Sequence, residues 1–154
     1  VSDALLSGDT VAALNIGRQI IRNDEDGAIG FIIAMISMLK TAAIVLRLSQ
    51  LRMLTSDQIC NHATIASMWN EYEHVDWSHT DSTAPTPLNK WRVDRIISEC
   101  RMSPSDLNDA IASLGHSIDA IFAGAKSSVA YGMAILMATG NISKNTPAHR
   151  EFVD

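Results

Sequence analysis

The chain has 154 residues and a net charge of −5, and Asp, Glu, Lys and Arg make up only 19% of it, against about 25% in an ordinary soluble domain. That length fits one domain, able to bury about two thirds of its unfolded surface without metal or disulfide. The acidic balance excludes a general phosphate-binding or anionic-membrane-binding surface, since affinity for either needs clustered Lys and Arg.

Lysine occurs four times and glutamate five, so solvated helix faces must be small or covered by other subunits, and the second reading is preferred. Cys60 and Cys100 form neither a CxxC nor a paired-ligand spacing. Buried, reduced thiols and a cytoplasmic rather than secreted setting are expected, although a single disulfide between the two stays open. No basic-then-apolar leader is present, and Thr146-Pro147 reads as the start of a helix that Asp154 cuts off, as in a fragment of a longer protein.

In chain order, Asp9 can cap a first helix from about Thr10 to Asn23, with Val11, Leu14, Gly17 and Ile21 on its inner face and Arg18 and Arg22 outward. Asp24, Glu25 and Asp26 precede the next helix, where negative charge suits the positive end of its dipole. The run from Gly27 to Leu48 is apolar on every side and continues as a helix to about Leu54. A helix with no polar face has to be covered. Ala28 to Leu46 is long enough to cross a membrane. Its eight strongly apolar residues contribute about −3 to −5 kcal/mol on an insertion scale, but Lys40 near the middle costs about +2.5 to +3.5 kcal/mol. With amphipathic helices on either side in need of a partner, a buried central helix is the better account.

Thr55 and Gln58 form a capping box that opens a third helix to about His74, carrying Ile59, Ala63, Ile65, Trp69 and Tyr72. Residues 75–86, VDWSHTDSTAPT, have no period and read as one long loop in which Trp77 is an isolated large apolar group. Thr86 and Pro87 start a fourth helix to about Arg101, with Val93, Ile96, Ile97 and Cys100 inward. Ser103-Pro104 starts a fifth, whose stripe is Leu107, Ala110, Ile111, Leu114, Ile118, Ile121 and Phe122. A sixth, about Lys126 to Thr139, is marked by Val129, Met133, Leu136 and Met137 and stops at Gly140. Small residues on the last two helices favour close approach. The fold class that follows is an all-α bundle of about six helices around a central hydrophobic helix at about 28–54, as one domain over 1–154.

Four constellations could carry chemistry. Glu71, Glu73, His74, Asp76, His79 and Asp81 are rich in metal-ligand types, yet only Glu71 and His74 share a helical i, i+3 spacing, and the second ExxH of a dinuclear site is missing. No metal or cofactor is expected. Cys60 and His62 point to different helix faces, which argues against a thiol beside its base. His116 beside the fifth helix's stripe reads as a core or groove histidine, one of three with His74 and His79 around which a ligand-binding or enzymatic pocket could form. The helix, turn, helix cadence around MSPSDL would set Ser105, Asp106, Asn108 and Asp109 toward a DNA groove, where phosphates repel the acids.

Lys90, Arg92, Arg95 and Arg101 make the fourth helix locally basic, with Trp91 one turn from Arg95. Cations around an aromatic can hold single-stranded RNA. A solvated face whose cations answer the acids between Glu71 and Asp81 is the plainer account. The expected function is a non-catalytic structural or interaction module that self-associates or docks in a larger assembly, as occurs in capsid, nucleocapsid and polymerase-cofactor proteins of viruses. Trp77, Trp91 and Tyr72 are its candidate contact residues. The alternative is an RNA-binding domain, and behind it a ligand- or metal-binding enzyme.

Overall fold

A computed structural model describes residues 2–51, 55–60 and 90–144. Among these the protein is all-α, with seven helices: α1 (Ser2–Leu6), α2 (Thr10–Asn23), α3 (Ala28–Leu51), α4 (Ser56–Ile59), α5 (Lys90–Glu99), α6 (Pro104–Phe122) and α7 (Ser127–Lys144). The expected loop at 75–86, the third helix beyond Cys60 and the Thr86-Pro87 start lie outside the described residues.

Local chemistry sets the helix starts. The Asp9 carboxylate accepts the Ala12 N–H at 3.1 Å. Thr55 and Gln58 make the expected capping box, and Ser103 and Asp106 make a second one ahead of α6. Between α2 and α3 the Asp24 carboxylate accepts the Gly27 N–H at 3.1 Å, and a Cβ at Gly27 would lie 2.4 Å from its other oxygen. A side chain at residue 27 would displace that carboxylate from the turn.

α3 lies against α1, α2, α4, α5 and α6. From Leu39 to Leu46 every residue is buried, so for two full turns the helix is enclosed on all sides. By length and composition the segment Ala28–Gln50 would suffice to cross a membrane, yet 61% of its apolar window is buried inside the bundle. Lys40 is only 1% exposed within this enclosed stretch and is not without an interaction partner. An unpaired buried ammonium would be costly.

α7 packs on α2 and α6 as an outer layer, and Tyr131 ties it down. The side chain is fully buried, its hydroxyl donates to the Ala13 carbonyl at 2.6 Å, and its ring meets Phe31 of α3 at 5.8 Å between centroids. The ring fits because residue 17 is glycine. A Cβ there would come within 2.0–2.5 Å of the phenol.

Four sequence expectations need correction. α1 was not foreseen, because five residues carry no helical period; Leu5 and Leu6 bury into the core, and Gly8 ends the helix at φ 85°. Val11 is exposed and Arg18 half-buried, because the inner face of α2 is Ala13, Gly17 and Ile21. Phe122 is exposed at the end of α6, where Gly124 turns the chain with φ 105°. α7 does not stop at Gly140 but runs to Lys144. A helical glycine costs about 1 kcal/mol relative to alanine and ends a helix only when it turns left-handed; among the described residues Gly8 and Gly124 do so and Gly140 does not.

Gly17→Ala should therefore lower stability by about 1–3 kcal/mol, measured as a drop in urea midpoint, as an overpacked site does. Ile36→Asp should abolish the cooperative unfolding transition, since Ile36 is buried in the apolar core and a carboxylate there loses its hydration. Desolvation holds the Tyr131 hydroxyl well above the ordinary tyrosine range. The unfolded phenol ionises near pH 10 while the folded one keeps its proton, so its contribution is complete below pH 10 and lost above it, at about 1.4 kcal/mol per pH unit. Tyr131→Phe should remove that part of the alkaline loss in paired urea titrations at pH 8 and pH 11.

Candidate interaction surfaces

α5 carries the basic face expected from the sequence. Val93 and Ile96 bury toward α3, leaving Lys90 and Trp91 exposed and Arg92 and Arg95 half-buried. Arg95 lies 5.2 Å from the Trp91 ring, the cation–π arrangement that their spacing implied. It also bonds to Glu99 at 2.9 Å and approaches Asp3 of α1 at 3.6 Å. The Glu99 hydrogen bond, then Asp3, raises its pKa above the usual arginine range.

The neighbouring groups are similarly engaged. Lys90 pairs with Asp57 of α4 at 3.8 Å, and Ser56 hydrogen-bonds Asp94. An Arg92 guanidinium nitrogen lies 2.9 Å from the Met38 sulfur. Arg101 is exposed, while its backbone N–H donates to the Leu6 carbonyl at 2.8 Å. Lys90 and Arg95 thus meet carboxylates supplied by α4, α1 and α5 itself. The acids from Glu71 to Asp81, to which the sequence reading assigned that role, lie outside the described residues. Between α1, α3 and α5 a small cleft of about 40 Å³ is lined by Asp3, Met38, Trp91, Arg92, Arg95 and Cys100, among others.

A second surface lies on the outer face of α7. Val129, Met133, Leu136 and Met137, the apolar marks of the sixth helix in the sequence, are 49%, 60%, 55% and 61% exposed. The apolar side chains of α7 that bury are Ala130, Tyr131, Ala134, Ile135 and Ala138. Both faces are apolar, so periodicity alone could not rank them. The bulkier side chains look like the core, but the alanines let α7 approach its neighbours and Tyr131 fills the notch at Gly17. One signal was available: a face of alanines around a single tyrosine opposes a face of larger residues.

Tyr72, Trp77, His74, His79 and the acids around them fall outside the described residues. His116 is exposed, so it is not a core histidine. Asp106 is buried and accepts the Ser103 N–H at 3.1 Å, a capping role rather than a groove contact. Among the described residues no three His, Cys, Asp or Glu side chains are grouped as a metal site would require. Both cysteines are free thiols.

Desolvation raises the pKa of both thiols. Asp57 and Asp94 add to it at Cys60, and at Cys100 a backbone hydrogen bond from Met102 offsets part of it. Neither is set up as a nucleophile. Compared with protein-family models, with curated proteins and with solved structures, the chain has no significant match.

Iodoacetamide should accordingly modify Cys60 and Cys100 more slowly than free cysteine at pH 7.5, with rates still climbing above pH 9. Peptide mass spectrometry of quenched time points measures this, and rapid labelling of either at neutral pH would contradict it.

Proposed function

We propose that this chain is a non-catalytic helical interaction module that self-associates through the outer face of α7. The observation that carries the reading is the run of four large apolar side chains on one face of a helix whose opposite face is fully used in the core. Val129, Met133 and Leu136 are spaced 4 and 3 residues apart, with Met137 beside them, the spacing of a helix face that packs against another helix. Residues 127–143 contain no charged side chain, so the face suits an uncharged helix rather than an ionic ligand. A second copy supplies such a face at the protein's own concentration, and an isologous pair closes on itself.

A single helix face about 27 Å long is small beside the roughly 800 Å² per partner of a standard interface. Association through it alone is expected to be weak and concentration-dependent. Two free thiols accord with a reducing, cytoplasmic setting. Docking into a larger assembly, as in a capsid, nucleocapsid or polymerase-cofactor component, would use the same face.

The second reading, a single-stranded RNA binder, is supported by the exposed Trp91 ring beside Arg95 and by exposed Arg101. Lys90 and Arg95 would have to exchange Asp57, Glu99 and Asp3 for phosphate, which reduces the positive charge on offer.

Light scattering over a range of concentrations should show a rising mass. Met133→Glu with Leu136→Glu should hold the protein monomeric, with its helical circular dichroism unchanged because both residues are exposed. A parent protein that stays monomeric at high concentration overturns self-association. In the same experiment, added single-stranded RNA should bind only under the second reading and should weaken steeply as salt rises; absent or salt-independent binding removes that reading.

A further inference from the structure

We draw no further inference here: the strongest candidate, the cleft between α1, α3 and α5 beside Trp91 and Cys100, carries nothing, because its Arg95 is already held by Glu99 and Asp3 and the balanced charges of its wall select no ligand chemistry.

Discussion

The insertion of the Tyr131 phenol into the notch at Gly17 governs which side of α7 the protein turns to its surroundings. The ring lies against the α2 backbone, its hydroxyl is satisfied by the Ala13 carbonyl, and its edge reaches Phe31 on the central helix. Three helices are therefore coupled by one side chain. An aromatic pair of this kind adds about 0.5–1.5 kcal/mol beyond its area burial. Rotating α7 to bury Met133 and Leu136 instead would withdraw the phenol and leave its notch empty, which a close-packed interior does not tolerate.

The enclosure of α3 is the larger free-energy term, and the outer helices follow from it. A segment buried on all sides for two turns demands apolar cover from every direction, and α1, α2, α4, α5 and α6 provide it. Even the five-residue α1 is recruited, through Leu5 and Leu6. With so much apolar surface used inward, the exposed face of α7 stands out among the described residues.

On α5 the tertiary structure partly neutralises what the sequence presents as a basic cluster. Arg95 has a carboxylate from its own helix and another from α1, and Lys90 has one from α4. Solvent-exposed pairs of this sort contribute little to stability. Their consequence is electrostatic: the field that a phosphate backbone would meet is reduced before any partner arrives.

By itself the sequence determined the helical class, the capped starts at Asp9, Thr55 and Ser103, and the need to cover the segment after Gly27, because caps act within one turn and an apolar segment needs burial whatever surrounds it. The Trp91 and Arg95 contact was legible too, as residues four apart on a helix are neighbours. Only the tertiary structure decided which face of α7 is outward, which carboxylates answer the α5 cations, and that α1 belongs to the core. Asp3 lies 92 positions before Arg95, and Gly17 lies 114 before Tyr131. Contacts at such separation leave no periodic trace, and where two faces of a helix are equally apolar, packing shape alone chooses between them.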